Sequence, residues 1–292
     1  MYKVNNAVIM AAGTSSRFAP LSYEKPKALI EVRGEVLIER QIRQLREAGI
    51  EEIYIVTGYM AEQFSYLADK YGVVLRHNPY YETRNNNASI KVVEDILKNT
   101  YICSADNYFL ENPFENVVTE AFYSAVYADG DTKEWCITTD AEGYISRVEI
   151  GGRNAWYMLG HTFWDEAYSK KFVEILDQEY DAPETADKLW EDIYIEHISE
   201  LKMKIRKYPK NEIFEFDTLD ELREFDGSYV NDTRSRIIKK ISEKYHVSQG
   251  EVRGISTIKG ENNEAIGFSF YIKGNQYKYD YATEKISELG EE

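Results

Sequence analysis

Near the N-terminus an apolar run, Ala7-Val8-Ile9-Met10-Ala11, leads into the small residues Ala12-Gly13-Thr14-Ser15-Ser16, then Arg17, with Pro26-Lys27-Ala28-Leu29 further on. Small side chains let backbone N–H groups approach a phosphate closely, and Arg17 and Lys27 add fixed positive charge. This chemistry suits holding a polyphosphate and neutralising a departing pyrophosphate. The spacing is neither the G-x-x-x-x-G-K-[ST] of a P-loop nor the G-x-G-x-x-G of a dinucleotide loop. An ordinary strand-to-helix turn with a surface Arg and Lys is the plainer alternative.

A carboxylate follows a second apolar run, Tyr101-Ile102-Cys103-Ser104-Ala105-Asp106. Magnesium takes a few carboxylates plus substrate phosphates, so Asp106 is the first metal candidate; the alternative is a strand-end cap. Asp217, in Glu215-Phe216-Asp217-Thr218, ranks second and Asp192, in Trp190-Glu191-Asp192, third. Asp217 or Thr218 could equally cap the helix that follows. Trp135, Trp156, Trp164 and Trp190 crowd one stretch. Ring faces hold quaternary ammonium ions, and Glu134, Asp165 and Glu191 could supply counter-charge, although core packing explains most buried aromatics. His77, His161, His197 and His246 form no nucleophile–base pattern. A covalent mechanism is not indicated. Direct attack by an ionised substrate phosphate needs no base.

These groups must be positioned by a fold. The chain has 292 residues, 43% of them hydrophobic, enough for one large domain plus an appendage. A net charge of −16 excludes a phosphate-tracking nucleic-acid binder but not a small phosphorylated substrate. Cys103 and Cys136 make no metal-type cluster; reduced thiols are the default and a disulfide stays open. No basic leader or membrane-length apolar run is evident, so the expectation is a soluble, cytoplasmic protein with no membrane partner.

Strands are expected at 4–10, 53–56, 73–75 and 101–103, alternating with helices at 35–48, 60–70 and 88–98. That alternation implies a mainly parallel sheet with helices on both faces. Ligands of such sheets lie at the carboxyl ends of the strands. The small-residue loop, Thr57-Gly58-Tyr59 and Ser104-Ala105-Asp106 should therefore share one rim. Strand-like runs at 122–128, 134–139, 144–149 and 155–163 suggest an antiparallel extension. Helices at 165–179 and 186–199, a strand at 202–208 and a strand–helix unit at 213–225 complete a domain of residues 1–227. Residues 228–292 read as a small α+β domain, with a helix at 231–244, strands at 254–259, 265–273 and 276–281, and a turn at Lys273-Gly274-Asn275.

Several strings agree with one family: Ala11-Ala12-Gly13-x-x-Ser16-Arg17 with Pro26-Lys27-Ala28-Leu29, Thr57-Gly58-Tyr59-x-x-Glu62-Gln63-Phe64, Asn85-Asn86-x-x-Ser89, Ala105-Asp106-Asn107-Tyr108, Glu134-Trp135, Phe163-Trp164-Asp165, Trp190, and Glu215-x-Asp217. Across residues 3–227 the chain resembles bacterial CTP:phosphocholine cytidylyltransferases of the nucleotidyltransferase superfamily. The resemblance implies a Rossmann-like nucleotidyltransferase fold and Mg²⁺-dependent transfer of CMP from CTP to phosphocholine. It implies a nucleotide site of Ala12, Gly13, Thr14, Ser16, Gly58, Tyr59, Asn86, Ser89 and Ala105, with Arg17 and Lys27 as the catalytic cations. Asp106, Asp217 or Asp192 would hold the metal; Trp135, Trp164, Trp190 and Glu191 would meet the acceptor. Phosphoethanolamine, 2-aminoethylphosphonate and a sugar-1-phosphate are the rival acceptors, and a non-catalytic nucleotide-binding regulator is the rival class. A homodimer is left open. Ser15 stands where relatives often have Gly, Leu189 where one would offer Tyr, and Glu191-Asp192 replaces an Asp-Asn order. The tail, Ile255–Gly260 with Gly267–Tyr277, resembles the first strands of choline-kinase-type phosphotransferases but carries no His-x-Asp loop, so no kinase activity is expected.

Overall fold

The computed structural model describes residues 1–261 and 264–289. The chain divides into two compact units, Met1–Gly13 with Leu37–Glu215, and Thr14–Val36 with Phe216–Glu292. This division differs from the expected one at 227/228. Residues 14–36 group with the C-terminal residues because their side chains and carbonyls are bonded there, as detailed below.

In the first unit, β1 (Asn6–Ala11), α1 (Leu37–Glu47), β2 (Ile53–Thr57), α2 (Tyr66–Tyr71), β3 (Val74–His77), α3 (Asn87–Val92) and β4 (Thr100–Ser104) alternate as the sequence suggests. β5 (Phe122–Thr139), β6 (Ile145–Trp164), α4 (Glu166–Glu179), α5 (Trp190–Glu196) and β7 (Lys204–Tyr208) follow. The sheet order is β7-β5-β6-β4-β1-β2-β3. β1 lies parallel to both β2 and β4, and β2 to β3. β6 runs antiparallel to β4 and β5, while β5 pairs in parallel with β7. The chain thus leaves β1 on one side and returns as β4 on the other, and such a reversal opens a ligand crevice at the carboxyl ends. β2 is buried at every residue, as a strand covered on both faces must be.

The four strand-like runs from 122 to 163 form only two long strands. Gly130 and Gly151 break the hydrophobic pattern but lie inside them at positive φ, with register shifts at Ala128/Asp131 and Thr132/Trp135. Bulges let a ladder continue through residues that read as turns. The expected helix at 88–98 ends earlier, as α3 followed by a 3-10 turn at Glu94–Ile96.

The second unit contains α6 (Leu219–Phe225), α7 (Arg236–Tyr245) and an antiparallel meander of β8 (Arg253–Lys259), β9 (Ala265–Ile272), β10 (Asn275–Asp280) and β11 (Ile286–Glu288). Lys273 and Gly274 join β9 to β10 with φ of 50° and 88°. Two residues at positive φ make the hairpin turn that matches strand twist. Tyr245 of α7 meets Tyr277 of β10 with ring centroids 4.8 Å apart. Among the described residues no helix is long and apolar enough to cross a membrane.

Candidate active site

The carboxyl ends of β1, β2 and β4 meet through backbone bonds. Ala105 N donates to the Met10 carbonyl at 3.1 Å and Tyr59 N to the Ala12 carbonyl at 3.0 Å. A Cβ on Gly58 would lie 2.8 Å from the Ala12 oxygen and 2.7 Å from Tyr81 Cβ, so only glycine permits this approach. A Cβ on Gly13 would meet nothing within 4 Å. The loop therefore presents open backbone where a phosphate could come close. The Asp106 Oδ1 accepts the Ser104 hydroxyl at 2.6 Å. Gln41 of α1, fully buried, donates to the carbonyls of Ser104 and Asn107 at 2.8 and 2.9 Å, fixing the turn that carries Asp106. Gln41 was not singled out by sequence, although a polar residue inside the Ile38/Ile42/Leu45 stripe was a visible signal.

In the second unit, Ser15 adopts φ 47°, ψ 43°, the left-handed conformation that Gly takes without penalty. Arg17 Nη1 lies 2.6 Å from Asp217 Oδ2. Thr218, not Asp217, caps α6: its hydroxyl accepts Glu221 N at 3.2 Å, and the Glu221 carboxylate accepts the Asp217 and Thr218 amides. The Asp217 carboxylate is thus available to ligands at the cost of an exposed ion pair, which holds little free energy. Lys27 is only 4% exposed, with its Nζ 5.6 Å from the Phe18 ring centroid. Thr14 is exposed and Ser16 half-buried.

The acceptor-side residues gather in the first unit around Glu191. Asn86 Nδ2 donates to its Oε2 at 3.1 Å and the Tyr123 hydroxyl to its Oε1 at 3.3 Å. The Asn86 side-chain Oδ1 accepts Trp190 N at 2.6 Å, so the Asn86 side chain faces the Glu191 cluster. Burial pushes the Glu191 carboxyl from 4.5 up to about 7, and the bonds from Asn86 and Tyr123 offset this only in part. Part of the residue's surface still reaches solvent. Trp190 stacks on Tyr123 at 5.8 Å and 18°. Tyr157 is raised first by burial and then by the charges of Glu134 and Glu215. Tyr123 and Glu215 are additions to the expected set. Tyr123 carries no motif of its own and is brought to Glu191 by β5, whereas Glu215, whose charge acts on Tyr123, belongs to the Glu215-x-Asp217 string.

Other expected residues have structural occupations. Trp164 is fully buried, with Tyr168, Phe172 and Trp190 at 5.1, 4.6 and 5.1 Å from its ring, so core packing accounts for it. Trp190 is 1% exposed in the same cluster, whereas Trp135 packs on that cluster while remaining half-exposed. Asp192 Oδ2 accepts Leu189 N at 2.7 Å, which closes the N-terminus of α5 and occupies that carboxylate. Asp165 likewise caps α4 through Tyr168 N at 2.9 Å. The Ser89 hydroxyl accepts Asn78 Nδ2 at 3.2 Å in a buried pair. Both cysteines are free thiols.

A strand reversal with an open small-residue loop on one side and a strand-end aspartate on the other defines the class: this is a nucleotidyltransferase. Residues 7–152 match the MobA-like NTP transferase domain, and the chain belongs to that family. It is 34% identical over 77% of its length to the choline-phosphate cytidylyltransferase of Streptococcus pneumoniae, covering 99% of that protein. It is 36% identical over 79% of its length to the 2-aminoethylphosphonate cytidylyltransferase of Lancefieldella rimae, covering 95% of it. The solved structure of the S. pneumoniae CTP:phosphocholine cytidylyltransferase superposes with a TM-score of 0.74 at 35% identity, covering 78% of this chain and 99% of that one.

Proposed function

We propose that the protein transfers CMP from CTP to phosphocholine, releasing pyrophosphate and CDP-choline in the cytoplasm. A phosphate oxygen of the acceptor attacks the α-phosphorus in line. The bond from that phosphorus to the bridging oxygen breaks, and its electron pair leaves on pyrophosphate. The backbone at Ala12 and Gly13 admits the phosphates closely, and Arg17 and Lys27 neutralise charge on the leaving group. Such catalysis is positioning plus electrostatics.

Taken singly, each carboxylate suits a hard divalent cation: Asp106, in the first unit, is oriented by Ser104 and its turn by Gln41, and Asp217, in the second, is not spent on a cap. Asp106 would hold Mg²⁺, which when bound screens phosphate charge, and Asp217 is the second candidate carboxylate. The observation that carries the acceptor reading is Glu191, joined to Tyr123 and Asn86 and flanked by Trp190, with the half-exposed Trp135 on the same cluster. Ring faces and one half-buried carboxylate suit a trimethylammonium group. A primary ammonium acceptor, as in 2-aminoethylphosphonate, is the second reading. It is supported by the charges of Glu134, Glu191 and Glu215 converging on Tyr123 and Tyr157.

Pyrophosphate release with CTP and Mg²⁺ tests this, with phosphocholine, phosphoethanolamine, 2-aminoethylphosphonate and glucose-1-phosphate in parallel. Preference for phosphocholine is expected. Lys27→Ala and Asp106→Ala should each lower turnover by roughly 10²–10³-fold. Preference for a primary amine would keep the transfer and replace the acceptor. Silence with all four acceptors and every NTP would overturn the proposal.

A further inference from the structure

The relatives above are almost fully covered while part of this chain lies outside the match. In the second unit, residues C-terminal to α6 are bonded to the very segment that carries Arg17 and Lys27. The Thr257 hydroxyl on β8 donates to the Ser16 carbonyl, one residue after left-handed Ser15 and one before Arg17. The Glu24 carboxylate accepts the amides of Arg236 and Ile237 at 3.0 and 2.9 Å, and the Ser235 hydroxyl, at the start of α7. Tyr23 stacks on Tyr281 with ring centroids 3.7 Å apart and planes within 4°. The Glu31 carbonyl accepts from the Tyr229 hydroxyl at 2.5 Å and from Arg234 at 2.9 Å.

The segment's own backbone bonds, such as Phe18 N to the Ser15 carbonyl at 2.9 Å and Lys25 N to the Leu21 carbonyl at 2.8 Å, close separate short turns and do not join one turn to the next. Its free states cost entropy to order on binding, and fixing it beforehand lowers that cost. Bonds at Ser16, Tyr23, Glu24 and Glu31 bracket both Arg17 and Lys27. Of these, the bond at Ser16 lies next to Arg17 in the chain.

We propose that the C-terminal residues of this chain preorganise the triphosphate-binding segment, with Thr257 as a positioning residue for Arg17. The proposal rests on the CTP-dependent reading above. Thr257 touches no substrate; it acts through the Ser16 carbonyl. Loss of its hydroxyl leaves that acceptor to water and frees the loop backbone beside Arg17.

The test compares the full-length parent, Thr257→Val and Thr257→Ser. Valine keeps shape and strand preference and removes the donor; serine keeps the donor. Hydrogen exchange of the amides of residues 15–18 is measured without ligand, alongside steady-state kinetics with CTP and phosphocholine. Thr257→Val should exchange faster at those amides and raise the KM for CTP about fivefold, the worth of one hydrogen bond, with acceptor KM and melting temperature nearly unchanged. Thr257→Ser should restore both. Unchanged loop exchange in Thr257→Val would overturn the inference, as would equal losses in the Val and Ser variants. A parent chain silent with CTP and every acceptor fails the functional reading instead, and the exchange result still decides whether Thr257 orders the loop.

Discussion

At the residue scale, the site depends on what is left out of side chains as much as on what is present. Gly13 and Gly58 lie on one rim for opposite reasons: one faces open space, the other has a carbonyl and a tyrosine against it. Gly13→Ala should therefore fold and melt like the parent yet raise the KM for CTP roughly tenfold or more, because a 1 Å displacement of a bound phosphate is that costly. Paired melting curves and kinetics check this. A normal KM would remove Gly13 from the phosphate contact. Asp217 shows the same economy. Because Thr218 and Glu221 satisfy the start of α6, the neighbouring aspartate is released from capping and turns to Arg17.

At the element scale, the tryptophans separate by what surrounds them. Trp164, at the end of β6, is enclosed by α4 and α5 aromatics, so Trp164→Ala should destabilise by about 3–5 kcal/mol with little specific effect on the acceptor. Trp135→Ala should instead raise the KM for the acceptor roughly tenfold and leave the melting point close to the parent's. Calorimetry beside acceptor kinetics distinguishes them, and a reversed pattern would exchange their roles. The parallel strands, the rim loops and the place of Asp106 just past a strand were legible because buried strands and small-residue loops are local patterns. The merging of four strand-like runs into one long hairpin was not, since glycine inside a bulge and glycine in a turn look alike in sequence. The cap made by Asp192 had no clear sequence signature, since Leu189 in the cap position offers no side-chain acceptor and only the return bond from its amide forms. The bonding of residues 14–36 to the C-terminal residues had no local signature at all, because such pairings join segments distant in sequence.

At the scale of the whole molecule, buried His161 and half-buried Glu191 oppose each other in pH dependence. Burial, then the charge of Arg206, lowers His161 from 6.5 to about 3. The unfolded chain takes a proton below pH 6.5 that the native chain refuses, so this stability is present above 6.5 and lost as pH falls toward 3. Glu191 is raised from 4.5 to about 7, so its contribution is full below 4.5 and lost as pH rises through 7. Glu191→Gln should flatten the decline between pH 4.5 and 7 in ligand-free protein while leaving the acid-side loss intact. Melting temperature against pH measures it, and parallel curves for parent and variant would refute the assignment. The Thr257–Ser16 bond has a further consequence for how the chain is made. Its partners are 241 residues apart. At roughly 5–20 residues per second, the segment bearing Arg17 leaves the ribosome about 10–50 s before the strand that secures it is synthesised. The first unit's sheet receives its last strand, β7, before β8 is made, so its strands are all synthesised while the segment bearing Arg17 and Lys27 still awaits Thr257. On the proposal above, synthesis of β8 is the event that secures the segment bearing Arg17.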